Sequence, residues 1–177
     1  SKSVRDALPQ MGGVVARTPS GQGKHDELVQ LITQLRDAYN SSAAAVNQLG
    51  MMSWEHQIVH SDWHPGNMLF DKGMVVAVID YDAARIRPRV TDIANGCLQF
   101  SMVTGSRDLT TWEARTDANR ARRFLRGYDE LNVITQAELT AVPFLMQEAL
   151  IAQAVPPILK TGSFAGLSGD SFLGTVD

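Results

Sequence analysis

The run Met74-Val75-Val76-Ala77-Val78-Ile79 contains no polar residue and leads directly into Asp80. Four of its six side chains are β-branched, which favours a strand over a helix. With no polar face, the sequence predicts a strand buried on both sides. Asp71-Lys72-Gly73 before it is a turn signal, and Asn67-Met68-Leu69-Phe70 is a second apolar run. Ile58-Val59 is a third. Residues 57–82 therefore predict short strands framing a loop, with Asp80 delivered at a strand end.

Around this segment the periodicity is helical. Leu28, Leu31, Ile32, Leu35 and Tyr39 fall at helical spacing and predict a helix over about 26–39. Ser41-Ser42 is expected to interrupt it, and a second piece, Ala43 to Leu49, closes at Gly50. Further helices are expected at about 90–103, 117–131 and 136–155. The last opens with a capping box, Thr135 with Glu138 three residues on. Pro143 marks a kink or break, and Pro156-Pro157 an end. Residues 1–24, punctuated by Gly12-Gly13, Pro19 and Ser20-Gly21-Gln22-Gly23, read as a flexible leading segment, and the Gly- and Ser-containing tail 161–177 as loosely held. The expected division is thus 1–24 and 25–177.

Composition narrows the classes. The 177 residues carry 16 Lys+Arg and 19 Asp+Glu, a formal charge of -3, so no basic excess argues for nucleic acid as a partner. With 44% hydrophobic residues the chain can build a core. One cysteine excludes an internal disulfide and a multi-thiolate zinc site. No apolar stretch approaches the roughly 18 residues of a spanning helix. The first residues lack a signal peptide's apolar core. A cytoplasmic protein with no membrane partner is the expectation, and a start at Ser1 suits a piece of something longer.

The chemistry concentrates in His60-Ser61-Asp62-Trp63-His64-Pro65-Gly66-Asn67 and Ile79-Asp80-Tyr81-Asp82. A loop Asp, an Asn five positions later and an Asp after a strand form the pattern that protein kinases use for phosphoryl transfer. Asp and Asn supply the hard oxygen ligands that magnesium takes. A carboxylate in the loop can orient an attacking hydroxyl and receive its proton. With His64-Pro65-Gly66-Asn67 and Asp92-Ile93-Ala94 added, the sequence resembles the aminoglycoside phosphotransferase and choline kinase superfamily. The 60–94 block carries the resemblance; Phe124-Leu125-Arg126-Gly127-Tyr128 and the 136–155 segment support it over roughly 26–165.

That resemblance implies an α+β, mainly α fold: the helical C-lobe of a protein-kinase-like enzyme with a short β insertion at 57–80. It implies transfer of the γ-phosphoryl of ATP to a small-molecule hydroxyl, with Mg2+. Asp62 would be the catalytic base, and Asn67 and Asp80 the metal and nucleotide-side ligands. His60 would hold the loop, and Asp92 would start a helix and brace it. His64 and Asp82 are further candidates, and Ser61, standing where the family usually has Gly, is a small loop variation. Acceptor groups would bind mainly on helices after residue 94. The family's N-terminal β-rich lobe, with its phosphate-covering loop and lysine, finds no counterpart in residues 1–56. Gly21-Gln22-Gly23-Lys24 lacks both the G-x-G-x-x-G and the P-loop spacing.

Two other classes compete. One is a non-catalytic binding module on the same fold. The other is a metal-dependent hydrolase using His60, Asp62 and His64, although this leaves Pro65-Gly66-Asn67 without a role. Several residues also have plainer readings. Arg115, Arg120, Arg122, Arg123 and Arg126 lie among Asp117, Asp129 and Glu130 and read as a solvated face. Arg85, Arg87 and Arg89 suit either phosphate contacts or a structural ion pair. Trp63 suits either a pocket wall or packing beneath the loop. Cys97 reads as a small buried apolar residue.

Overall fold

A computed structural model of the chain describes residues 2–103, 115–164 and 167–168. The described chain is α+β and mainly helical. Its helices are α1 (Lys2–Val15), α2 (His25–Gln48), α3 (Val90–Ser101), α4 (Ala118–Asp129) and α5 (Gln136–Thr161). The strands form three two-stranded antiparallel sheets. β1 (His56–Val59) pairs with β4 (Arg85–Pro88), β2 (Met68–Asp71) with β3 (Met74–Val78), and β5 (Ser163–Phe164) with β6 (Leu167–Ser168).

Two compact units divide the chain, one built on residues 1–42, 103–114 and 147–177, the other on 43–102 and 115–146. In the first, Leu8, Met11 and Val15 of α1 pack with Leu28, Leu35 and Tyr39 of α2 and Ile151 and Ile158 of α5. The expectation of an unstructured 1–24 therefore fails for α1. Leu8, Met11 and Val15 stand three and four residues apart, the spacing of one helix face, and all three are buried. Gly12-Gly13 lowers helix propensity without outweighing that packing.

α2 runs through Ser41-Ser42 without the expected interruption. The buried Ser42 hydroxyl donates to Gln147 Oε1, so a helix-weakening residue is tied down by a tertiary bond. Gly50 follows in the left-handed conformation, at φ 82°. α5 likewise passes Pro143 and Pro156-Pro157 and reaches Thr161. Two prolines remove two backbone donors there, but Ala154, Val155 and Ile158 are buried around them and hold the last turns in place. The capping box at its start forms in full: Glu138 N–H donates to Thr135 Oγ1 at 3.2 Å, and Thr135 N–H to Glu138 Oε2 at 2.8 Å. Against the expectation that no apolar stretch approaches a spanning length, α5 is long and apolar enough to cross a membrane by length and composition alone, with mean hydropathy 1.3 over 18 residues. Most of the tail 161–177 lies outside the described residues.

The second unit carries the β segments. Its core joins Val46, Val90, Ile93, Ala94 and Cys97 to Ala141, Val142 and Leu145. The Asp71-Lys72-Gly73 signal becomes a two-residue hairpin turn, with φ 48° at Lys72 and 80° at Gly73, both positive as a type I′ turn requires. β3 forms where expected, but it is not buried. Met74, Val75 and Val76 are 50–67% exposed. A two-stranded hairpin covers neither of its own faces, and nothing described in this unit lies over these residues. The register shifts between Leu69 and Phe70, leaving Val76 without a cross-strand partner.

Candidate active site

The loop between β1 and β2 is held from three directions. From α3, the Asp92 carboxylate accepts the His60 amide at 2.6 Å and the Ser61 amide at 2.8 Å. Asp92 sits in the first turn of α3, where a carboxylate also meets the positive end of the helix dipole. From the hairpin side, the buried His60 ring bridges to the Ile79 carbonyl through Nε2 at 2.9 Å. The Asp62 amide donates to His60 Nδ1 at 3.3 Å. A nitrogen that accepts carries no proton, so Nδ1 is bare and Nε2–H donates to Ile79. The ring also packs edge-on to Trp63 and near Tyr81, with centroids 5.6 and 4.9 Å away.

The third hold comes from below. The Trp63 side chain packs onto α3 at Gly96. A Cβ at Gly96 would lie 2.5 Å from Trp63 and would collide with Phe124 as well. Gly96 is thus required by close approach. Trp63 thus packs beneath the loop, and it also lines a cavity.

The loop then folds onto itself. His64 caps the short 3-10 turn Pro65–Asn67, its Nδ1 accepting the Gly66 amide at 3.0 Å. The buried Asn67 donates from Nδ2 to the Asp62 carbonyl at 3.0 Å and to Asp62 Oδ2 at 3.2 Å. Asp62 Oδ2 also lies 3.6 Å from His64 Nε2. Asp62, His64 and Asn67 are therefore one contact group. With Nδ2 turned to Asp62, Asn67 Oδ1 accepts nothing from the described residues. No fully buried side-chain polar atom there lacks a partner, so this oxygen is not fully enclosed, although Asn67 as a whole is buried.

Ile79 N–H donates to the Asn67 carbonyl at 3.0 Å, which ties the end of the hairpin to the loop. Asp80 follows in the left-handed region, φ 63° and ψ 64°, and its carboxylate makes no cap bond to the turn Tyr81–Ala83 that it precedes. Asp80 and Asp82 are both exposed, and Asp82 lies within that turn. Ser61 is left-handed too, at φ 65°, a conformation that favours glycine. Reading Ser61 as a small variation understates it, because the substitution places a Cβ where the backbone resists one.

The metal-hydrolase reading fails on the histidines. Both His60 nitrogens are engaged in holding the loop, and His64 Nδ1 is engaged in its cap. Among the described residues no cluster of three His, Cys, Asp or Glu side chains suits a metal ion. Asn67 and Asp80 offer a different donor set, an amide oxygen and a carboxylate, which suits a hard cation that retains waters.

Sequence reasoning left Arg89 open and assigned Glu138 only a cap. Arg89 donates to Glu138 Oε1 at 2.7 Å and Oε2 at 2.9 Å, and to the Val133 carbonyl at 2.7 Å. The Arg89 fork holds the Glu138 carboxyl down at about 2, aided by the Thr135 amide and hydroxyl against the opposing effect of burial. Arg89 is thus a structural ion pair joining the start of α3 to α5. No local signal pairs residues 49 apart. Burial pushes the Cys97 thiol up to about 11, as expected of a small core residue. Arg120 donates to the Met102 carbonyl and Arg122 to Asn119, so the arginines of α4 are not one open patch.

No curated protein matches the chain. The sequence matches the phosphotransferase enzyme family over residues 9–139, a span that contains the whole loop, the hairpin, Asp80 and Asp92. The chain belongs to the phosphotransferase enzyme family.

Proposed function

We propose that this chain is the catalytic C-lobe of an ATP-dependent small-molecule kinase of the protein-kinase-like fold. The observation that carries this reading is the state of Asn67: its amide nitrogen donates to the Asp62 carboxylate, while its amide oxygen takes no hydrogen bond from the described residues. Asp62 would accept a hydrogen bond from the acceptor hydroxyl, orient it, and receive its proton late in transfer. Asn67 and Asp80 would hold Mg2+, which when bound neutralises charge on the ATP phosphates. His60 and Asp92 act on the reaction only through the loop they hold. The apolar side chains that the hairpin exposes on its two faces, Leu69 on one and Phe70 with Val75 on the other, suit cover by a β-rich nucleotide-binding lobe.

Calorimetric titration of the chain with ATP, with and without Mg2+, tests the reading beside Asp80→Ala. Magnesium-dependent binding that disappears in the variant is expected. Binding that ignores both magnesium and the substitution would overturn it. In the longer gene product, Asp62→Asn should lower turnover at least about 100-fold, the low end for a lost general base. A longer product that binds no nucleotide would favour the non-catalytic binding module.

A further inference from the structure

Beneath the catalytic loop, and opening between it and α4, lies a cavity of about 430 Å³. Trp63, Phe124 and Tyr128 supply its aromatic walls, with Gln57 at one side. Its size falls in the range of sites for small organic ligands. Three charged side chains reach it: Arg89, Asp92 and Arg123. Asp92 is matched by the two loop amides, and Arg89 by Glu138. Arg123 is exposed and makes no hydrogen bond or ion pair with the described residues, so a solvated positive charge stands at the cavity rim beside the aromatic walls.

Gly127 adds an independent observation. It stands four residues after Arg123 on α4, and so on the same helix face. A glycine inside a helix costs about 1 kcal/mol relative to alanine. At Gly96 that cost has a packing reason; at Gly127 an added Cβ would meet nothing within 4 Å. Gly127 lines the cavity, and no packing contact there requires a glycine.

We propose that this cavity is a binding site for a small organic anion with a flat aromatic body, such as an aryl phosphate. The ligand's apolar part would lie against the cavity-facing edges of Trp63, Phe124 and Tyr128, and Arg123 would hold its anionic group. The site does not rest on the phosphotransfer reading, and its test measures no turnover.

The test is an NMR titration of the chain with 1-naphthyl phosphate, following the Trp63 indole resonance, identified by its loss in Trp63→Phe. A saturable shift is expected. Arg123→Gln should weaken binding about tenfold, the worth of one charge-assisted hydrogen bond, and neutral 1-naphthol should bind wild type as weakly. Gly127→Leu, whose side chain enters open space on an intact helix, should abolish the shift with the circular dichroism unchanged. An absent shift, equal binding of naphthol and naphthyl phosphate, or full binding in Gly127→Leu would each overturn the proposal.

Discussion

Replacing Glu138 by Gln removes a carboxylate that receives both arms of the Arg89 guanidinium and closes the cap of α5. The amide can still accept one bond, but the charge and the second acceptor are lost. In the folded chain the carboxyl titrates at about 2 against an ordinary 4.5. At about 1.4 kcal/mol per pH unit, that difference corresponds to roughly 3 kcal/mol of stability at neutral pH. The Glu138 side chain is only 10% exposed, but Arg89 is 25% exposed and partly screened by water, so about 2–3 kcal/mol is the expected loss. For a chain of this length, that is a fall of roughly 4–12 °C in Tm.

The pH dependence makes the prediction specific. A carboxyl lowered by folding stabilises fully above its unfolded value, and that stabilisation is lost as pH falls from about 4.5 toward about 2. Urea unfolding followed by tryptophan fluorescence should show wild type above Glu138→Gln by about 2–3 kcal/mol at pH 7. The two should converge as the pH is lowered, with most of the gap closed by pH 3. A gap that stays constant down to pH 3 would mean that the loss comes from packing or capping and not from the ion pair. A gap below about 0.5 kcal/mol at pH 7 would reduce the pair to the worth of an exposed one.

Asp92→Ala should raise hydrogen exchange at the His60 and Ser61 amides at least about tenfold, since each loses a charge-assisted bond; unchanged protection would show that Asp92 does not hold the loop. Ser61→Gly should stabilise the chain by up to about 1 kcal/mol, the relief of a left-handed Cβ less the added entropy of glycine; a fall in urea midpoint would contradict the strain. Cys97, with its thiol raised to about 11, should resist iodoacetamide at pH 8 in the folded chain and react promptly in urea; labelling at equal rates would contradict its burial.

What the sequence makes legible here is local. The hairpin turn, the capping box and the contact of Asn67 with Asp62 depend on neighbours within a few positions, and each forms. The reach of Asp92 to the loop was available only through resemblance, because nothing local joins residues 31 and 32 apart. What escaped depends on tertiary packing. α1 persists despite two glycines, and α5 despite three prolines, because buried side chains on each outweigh propensity. The opposite error occurs at β3. Its composition signals burial, but the described residues leave Met74, Val75 and Val76 exposed. An apolar run therefore reports that a strand expects cover, without saying which segment supplies it.

The same distinction explains why strain gathers where it does. Among the described residues, apart from Lys72 in the hairpin turn, the positive-φ residues other than glycine are Ser61, next to Asp62, and Asp80. Such conformations cost about 1–3 kcal/mol each and persist only where the surroundings over-determine them. At Ser61 the determinant is Asp92, which fixes the amides of Ser61 and its predecessor. At Asp80 it is the pair of bonds on Ile79, whose carbonyl receives His60 and whose amide meets the Asn67 carbonyl. His60 takes part in both, since its amide binds Asp92 and its ring binds Ile79. One histidine thus links the two strained positions, and its tautomer is fixed by that geometry. His60→Ala should therefore release Asp80 as well as the loop, an effect readable as faster exchange of the Ile79 amide. If exchange rose at Ser61 and not at Ile79, the two positions would be held independently, and His60 would be a packing residue of the loop alone.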